Sequence, residues 1–288
     1  MTTCQCVICG YRTDAPGPAE LGACRGNTAR FRSLLHHLWK CLRCLTIHNI
    51  DPVDFADIYR DYPLNRLRLD VFARGTFKNL LGRLLREGLQ PGHSILDYGC
   101  GNGVFMQFLR ERGFTDVTGY DPFVAEFSAL PEHQFDYVIA NDVIEHVADP
   151  RAMVVECAGL AKPGGLVYID TADSEPVDMT GLEPCLMRLH QPFHRAILTQ
   201  VGLTRLATEP SLSLVRTYRR SYMDHLLPFS NYRFLDEFNK ALGHDMYRAF
   251  EPDAGKVMMK KPALWLWAFF GYFFPSAYEP AVVLRKPS

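Results

Sequence analysis

The sequence predicts an α/β fold in which a parallel sheet is covered by helices on both faces. Residues 94–123 give the clearest indication, because an apolar strand pattern, a glycine-rich turn, a helix and a second strand follow one another there. Further apolar runs separated by helical segments continue the alternation, and strands that alternate with helices build a parallel sheet. We predict strands at residues 94–98, 116–120, 137–141, 165–170, about 203–207 and 280–286.

The composition is that of an ordinary globular enzyme. The chain has 288 residues, of which 48% are hydrophobic and 22% are charged, and its net charge is −1. This length suffices for one large core plus a small module. A near-neutral charge weighs against a protein that binds nucleic acid, because phosphate binding requires a surplus of lysine and arginine. No basic segment followed by an apolar core opens the chain, so we expect a cytoplasmic protein.

The glycine turn of residues 99–103 is suited to binding a nucleoside. Gly99, Gly101 and Gly103 permit a tight turn with close ligand approach, and a helix begins directly after them. The free N–H groups and the positive dipole end of this helix face whatever lies over the turn. Asp121 ends the next strand, where its carboxylate can accept two hydrogen bonds from a ribose diol.

Three ordered motifs resemble those of the class I S-adenosylmethionine (SAM) methyltransferases. The pattern Asp97-x-Gly-x-Gly-x-Gly103 followed by Tyr120-Asp121 is similar to motif I and the acidic second strand of that family. Residues 134–150 and 162–170 look like its fourth strand with the following helix and its turn into the fifth strand. A nicotinamide or flavin site would need a small residue where Val104 stands.

This resemblance implies a SAM cofactor and a Rossmann-like sheet of seven strands, the last of which, at residues 281–285, runs antiparallel. The cofactor residues that it implies are Asp97, Gly99, Gly101, Gly103 and Asp121. Asp136 follows Asp121 by only fifteen positions, so we expect the second helix to be lost and residues 124–130 to form a rudimentary third strand. The adenine partner then stays open between Phe127, Ser128 and the pair Asn141 and Asp142.

The cysteines predict a metal site near the start of the chain. Cys6 and Cys9 form one Cys-x-x-Cys knuckle, and Cys41 and Cys44 form a second, so that four thiolates could bind one tetrahedral zinc ion. A disulfide is the alternative, but a reducing compartment favours metal. Cys4 or Cys24 could replace one ligand.

This front end resembles the zinc-ribbon head of a subset of bacterial methyltransferases. A site with four thiolates has no open coordination position, so its zinc would be structural. The expected organisation is a zinc ribbon at residues 1–50, a helical linker at 51–92, a SAM-binding core at 93–207, an insertion that determines the acceptor at 208–279 and the last core strand at 280–288.

Three histidines are candidates for a general base, which a methyltransferase needs only for some acceptors. His146 lies one helical turn beyond the fourth strand, where related enzymes have the same Glu-His pair. His190 and His194 follow the fifth strand, whose carboxyl end faces the ligand in open α/β folds. We place His194 slightly ahead of His190, and a purely structural role is the alternative for each.

The insertion combines arginines and tyrosines with an almost wholly apolar run at residues 263–274, preceded by Lys256, Lys260 and Lys261. The run is too short to cross a bilayer, which needs about 20 residues. We favour a lid or tunnel helix, with peripheral membrane or lipid contact as the alternative.

The sequence therefore predicts methyl transfer from SAM to a small molecule, such as a secondary metabolite, a sugar-derived compound or a lipid-linked precursor. Oxygen and carbon acceptors are both open, as is the oligomeric state. Two rival functions are an RNA or protein methyltransferase that binds its substrate with the ribbon, and a regulator that binds SAM without catalysis.

Overall fold

The computed structural model of the protein describes residues 3–60, 62, 66–208, 212–274 and 278–288. Its strands are β1 (Cys4–Gln5), β2 (Arg12–Thr13), β3 (Leu21–Arg25), β4 (Leu35–Lys40), β5 (Ile47–Asn49), β6 (Ile95–Tyr98), β7 (Val117–Tyr120), β8 (Phe135–Ala140), β9 (Ala161–Asp170), β10 (Ala196–Ile197), β11 (Ser213–Arg220) and β12 (Tyr278–Arg285). Its α-helices are α1 (Phe55–Tyr59), α2 (Val71–Arg86), α3 (Val104–Glu111), α4 (Pro150–Leu160), α5 (Leu186–Leu189), α6 (Gln200–Thr208), α7 (Tyr232–Ala241), α8 (Val257–Lys260) and α9 (Ala263–Phe270).

The main sheet has the strand order β11-β12-β9-β8-β6-β7, and β12 is antiparallel to both of its neighbours. The Rossmann-like α/β fold and the antiparallel last strand are as predicted, but the described sheet has six strands where seven were expected. The missing strand is the rudimentary third one, because Ala125–Phe127 forms a single 3₁₀ turn. Asp136 follows Asp121 by only fifteen positions, which leaves no room for a strand and its connections.

The sixth strand was predicted in the wrong place. Residues 203–207 belong to α6, whose buried Leu203, Leu206 and Ala207 follow helical spacing. The Thr199 hydroxyl accepts a hydrogen bond from the Gly202 N–H at the start of this helix. The sixth strand is β11, which lies inside the range predicted for the insertion.

Helices cover both faces of the sheet. Ile95 of β6 packs into one apolar layer with residues of α2 and α3, including Leu80 and Phe108. The next residue, Leu96, packs into the opposite layer with residues of α4 and α6, such as Val154. Successive side chains of a strand point to opposite faces, so an apolar run becomes a strand that is buried on both sides.

Strands β3, β4 and β5 form a second sheet with β10, and this sheet is built into the core. Its order is β10-β5-β4-β3, so β10 pairs with β5 across about 150 residues of sequence. Ile8 and Trp39 are fully buried in the same apolar layer as Val154. The Arg151 guanidinium of α4 donates a hydrogen bond to the Ile8 carbonyl at 3.2 Å. The described N-terminal segment and the main sheet therefore share one core.

We expect Ile8→Ala to lower the free energy of unfolding of the whole chain by about 2–5 kcal/mol, because it leaves a cavity in the shared core. Thermal or urea unfolding, followed by circular dichroism of the α/β core, measures this change. Val7→Ala is the matched control, since Val7 lies in the same knuckle but is 43% exposed. If Ile8→Ala left the unfolding transition of the α/β core unchanged, this result would contradict a shared core.

Candidate functional site

A cavity of about 390 Å³ lies at the carboxyl ends of the parallel strands. Ligand sites of open α/β sheets form at this edge, where the loops that follow neighbouring strands diverge. The cavity is lined by the turn after β6, the residues after β7 and β8, and aromatic side chains from other parts of the chain. The residues that line the cavity include Phe55, Tyr59, Tyr62, Phe77, Asp97, Gly99, Gly101, Asp121, Phe123, Asn141, Asp142, His146 and Tyr222.

The turn after β6 depends on glycine. Gly99 has φ +79°, and a Cβ atom there would lie 2.4 Å from a methyl carbon of Val143. Gly101 has φ +52° and open space where its Cβ would be, so its backbone is accessible from the cavity. Gly103 has φ +77° and is the N-cap of α3, although it does not line the cavity. The turn thus places the start of a helix, α3, at the edge of the cavity.

Two carboxylates flank this turn. Asp121 accepts hydrogen bonds from the Gly101 N–H at 3.0 Å and from the Phe123 N–H at 2.9 Å, which fix its orientation at the end of β7. Asp97 is buried below the turn, and its Oδ2 atom has no hydrogen-bond partner among the described residues. Burial, and secondarily the nearby charge of Asp121, raises the pKa of Asp97 to about 7. A buried, unpartnered carboxylate oxygen is suited to a cationic ligand group.

The residues proposed for adenine are divided between the cavity and its surroundings. Asn141 and Asp142 line the cavity, whereas Phe127 and Ser128 do not. The Tyr222 hydroxyl donates to Asp142 Oδ2 at 2.9 Å and accepts from Asn141 Nδ2 at 2.8 Å. Burial raises the pKa of Asp142 to about 6.

Sequence reasoning missed the aromatic wall of the cavity. The rings of Tyr59 and Phe123 stack with centroids 4.3 Å apart, and the rings of Phe55 and Phe123 stack with centroids 6.4 Å apart. Tyr62 packs against Tyr59 at 5.1 Å. Three of these rings come from the segment that was interpreted as a linker, and Phe123 follows Asp121 by two positions. The only available signal was the density of tyrosine and phenylalanine around α1.

His146 is the one of the three candidate histidines that lines the cavity. Its Nδ1 atom is hydrogen-bonded to the Tyr59 hydroxyl at 2.8 Å, and burial holds the pKa of His146 well below the usual value. His194 and His190 are buried behind it, with the His194 ring 4.6 Å from the His146 ring. His194 Nδ1 bonds to the Arg188 carbonyl and His190 Nδ1 to the Asn27 side chain, both at 2.8 Å.

Glu145, His146 and His194 each bring one potential ligand atom within 4.8 Å of the others. This spacing could accommodate a divalent ion. However, the Tyr59 hydroxyl already occupies Nδ1 of His146, and Glu145 accepts a hydrogen bond from the Ala172 N–H. Burial also raises the pKa of Glu145 to about 8. We therefore interpret the three residues as held by hydrogen bonds to their own neighbours, Tyr59, Ala172 and Arg188, and not as a metal site.

The four knuckle cysteines form a second group of ligand atoms, which lie within 4.8 Å of one another. Cys6 Sγ is 3.4 Å from Cys44 Sγ, and Cys9 Sγ is 3.6 Å from Cys41 Sγ. These distances exceed a disulfide bond of about 2.05 Å, and fit thiolates around one metal ion. Cys4 and Cys24, the possible replacements, are not part of the group.

The apolar run at residues 263–274 does not contribute a described residue to the cavity lining, so the predicted tunnel helix is not supported by the geometry. Tyr222 is the described residue of the insertion that lines the cavity. Residues 209–211 and 275–277 of the predicted insertion lie outside the described residues. Among the described helices, none has the length and hydropathy needed to cross a membrane.

Comparisons with known proteins agree on one family. A family model described as a methyltransferase domain matches residues 70–228, more than half of the chain. A ubiquinone biosynthesis O-methyltransferase of Nitrosospira multiformis is 29% identical over 49% of this chain and 72% of its own length. The corresponding protein of Citrobacter koseri is 34% identical over 41% of this chain and about half, 52%, of its own length.

A solved magnesium protoporphyrin IX methyltransferase from Synechocystis PCC 6803 with bound SAM aligns with a TM-score of 0.45 and 16% identity, over 82% of this chain and 98% of its own. With the glycine turn, the two flanking carboxylates and the family match together, the chain belongs to the methyltransferase domain family and is a SAM-dependent methyltransferase.

Proposed function

We propose that the protein transfers the methyl group of SAM to a hydroxyl oxygen of a small aromatic acceptor. The observation that carries this proposal is the hydrogen bond between the Tyr59 hydroxyl and His146 Nδ1 at the cavity wall. An acceptor hydroxyl must lose its proton, whereas a neutral amine acceptor can be methylated without a base. The names of the relatives, which are O-methyltransferases, support oxygen as the acceptor atom.

We infer that Asp97, Asp121 and the turn around Gly101 hold SAM. The unpartnered Oδ2 of Asp97 suits the amino group of the cofactor, and Asp121 is oriented to accept the ribose hydroxyls. Asn141 and Asp142 are the proposed polar partners of adenine, with Phe123 against its ring. When bound, SAM supplies a methyl group on a good leaving group, so the protein must mainly align the acceptor.

The proposed base is His146, acting through Tyr59. The acceptor hydroxyl gives its proton to the Tyr59 oxygen while the Tyr59 proton moves to His146 Nδ1. The low pKa of His146 keeps its ring neutral and ready to accept. A protonated ether is a far stronger acid than an imidazolium ion, so this transfer is downhill. His194 and His190, the other two candidates from sequence, would then hold the His146 ring in place.

An aromatic acceptor is supported by the composition of the cavity wall. Tyr59, Tyr62, Phe77, Phe123 and Tyr222 present flat apolar surfaces, which favour stacking of a planar ring. The printed names of the relatives, which refer to ubiquinone biosynthesis, are compatible with a ring hydroxyl as the acceptor.

We also propose that Cys6, Cys9, Cys41 and Cys44 bind a structural zinc ion. His48 Nε2 lies 3.2 Å from Cys6 Sγ and can donate a hydrogen bond to a thiolate at that position. The ribbon packs into the enzyme core, which counts against its use as a free module for gripping RNA or protein.

We expect Asp121→Ala to weaken binding of SAM and of its product S-adenosylhomocysteine about 10- to 150-fold, because the variant loses hydrogen bonds to a charged carboxylate. Isothermal titration calorimetry measures the affinity. Asp116→Ala is the control, because Asp116 is an exposed aspartate at the opposite end of β7. Unchanged affinity in Asp121→Ala would refute the ribose assignment.

We expect Tyr59→Phe and His146→Ala each to lower kcat on the order of 10²–10⁴-fold while SAM affinity changes little. Radiolabelled methyl transfer from SAM to a panel of phenols and catechols provides the measurement. Because the pKa of His146 is lowered, the wild-type rate should not fall between pH 8 and about 6.5, where an ordinary histidine begins to be protonated. A Tyr59→Phe enzyme with full activity would exclude the relay, and a wild-type protein that binds SAM but labels no acceptor would favour a regulator.

We expect the purified protein to contain one zinc ion per chain and Cys41→Ser to lose it together with part of its thermal stability. Elemental analysis and thermal unfolding measure the two effects. Cys24→Ser should retain the metal, because Cys24 is buried outside the cysteine group. A metal-free wild-type protein would remove the zinc site.

A further inference from the structure

One surface of the insertion exposes large apolar side chains beside lysines. We call it the lysine–aromatic face. Trp265 and Phe273 illustrate it, with exposed fractions of 48% and 69%. Soluble proteins seldom expose so many large apolar groups together without a binding role. The face consists of Lys256, Met259, Lys260, Lys261, Trp265, Leu266, Phe269, Phe270, Phe273 and Phe274.

The helix below this face is firmly packed, so its outer side is held in an exposed position. Leu264 and Ala268 of α9 are buried against Phe234 of α7. The Phe229 N–H donates to the Ala268 carbonyl at 3.0 Å, and Asn231 Nδ2 donates to the Trp267 carbonyl at 2.9 Å. The inner side of α9 therefore has its partners, whereas the aromatic rings on its outer side have solvent around them.

All charged side chains of this face are positive. Residues 254–274 contain three lysines and no aspartate or glutamate, and all three lysines are exposed. Lys256 lies 3.9 Å from Asp253, but both side chains are more than half exposed, so this pair neutralises little. An apolar strip flanked by lysines is complementary to an anionic lipid surface, where rings enter the interface and ammonium groups meet the headgroups.

A short segment of chain connects the face with the wall of the cavity. Phe229 contacts Trp265 and Phe269 with ring centroids 5.8 and 5.6 Å apart. The chain reaches Phe229 from Tyr222, which lines the cavity, through Leu226 and Leu227, which are at least half exposed. An acceptor with an apolar tail could thus keep its tail in lipid while its ring enters the cavity.

We propose that the lysine–aromatic face docks on the surface of an anionic lipid bilayer. The eight residues of α9 span about 12 Å, which is too short to cross a membrane and fits a helix that lies in the interface. A second copy of the chain fits less well, because in a twofold contact this face would meet itself, and it has no acidic side chain to pair with its three lysines. The proposal extends the proposed function to acceptors delivered from a membrane, but docking itself requires neither SAM nor catalysis.

Co-sedimentation of the full-length protein with vesicles tests the proposal. We expect strong binding to phosphatidylcholine containing about 30% phosphatidylglycerol, and weak binding to phosphatidylcholine alone. The triple variant Leu266→Ser, Phe270→Ser, Phe273→Ser should lower the partition coefficient more than about tenfold. Each of Lys256→Gln, Lys260→Gln and Lys261→Gln should lower it about fivefold.

The control triple variant is Leu85→Ser, Val155→Ser, Val201→Ser, which removes equally exposed apolar groups from α2, α4 and α6 and should bind like the wild type. Trp265 fluorescence should shift to shorter wavelength and be quenched by brominated lipids, and Trp265→Phe should remove that signal while the protein still binds. Absence of wild-type binding to the anionic vesicles, or an equal loss in the control variant, would overturn the proposal. The proposal would also be overturned if light scattering showed a dimer that only the triple variant of the face disrupts, while the wild type did not bind vesicles. Calorimetry with SAM on the same samples separates this outcome from a failure of the proposed function.

Discussion

The site depends on a steric constraint at the end of β6. Gly99 can take its positive φ beneath Val143 only because it has no Cβ atom, which would otherwise overlap a methyl group of Val143. That conformation brings the Gly101 N–H onto the Asp121 carboxylate and starts α3 at the edge of the cavity. The same turn leaves Asp97 buried below with a free oxygen. One backbone geometry therefore sets both carboxylates and the helix terminus of the site.

A second link connects the N-terminal sheet with the histidines. Strand β10 follows His194 and pairs with β5, and the Asn49 N–H donates to the Arg195 carbonyl at 3.0 Å. Asn49 Nδ2 also bonds to Gln191 Oε1, while the Arg195 N–H donates to the Glu145 carbonyl. The segment that carries His190 and His194 is thus held between the cysteine-bearing sheet and the loop before α4. The N-terminal segment contributes to the architecture of the cavity although none of its described residues lines it.

The sequence was informative where a local backbone requirement selects particular residues. Glycines with positive φ, an acid at a strand end and paired Cys-x-x-Cys knuckles are such cases, and they predicted the turn, Asp121 and the cysteine group. The aromatic wall could not be found this way, because Tyr59 and Tyr62 reach the cavity by tertiary packing across more than 60 residues from Phe123. Strand β11 was missed since most of its side chains are exposed, which leaves no apolar alternation to recognise.

The buried acids around the cavity add a charge argument. Burial raises the pKa of Asp142, Glu145, Asp170 and Glu279, and repulsion from neighbouring carboxylates adds to it for the last three. Their hydrogen bonds, such as that from the Tyr168 hydroxyl to Asp170 at 2.8 Å, stabilise ionised forms that burial disfavours. A cationic ligand favours the ionised forms of these acids and is itself stabilised by their negative charge. A neutral ligand has no such interaction with that charge. SAM carries a sulfonium charge that its product lacks, so we expect these acids to favour the donor over the spent thioether.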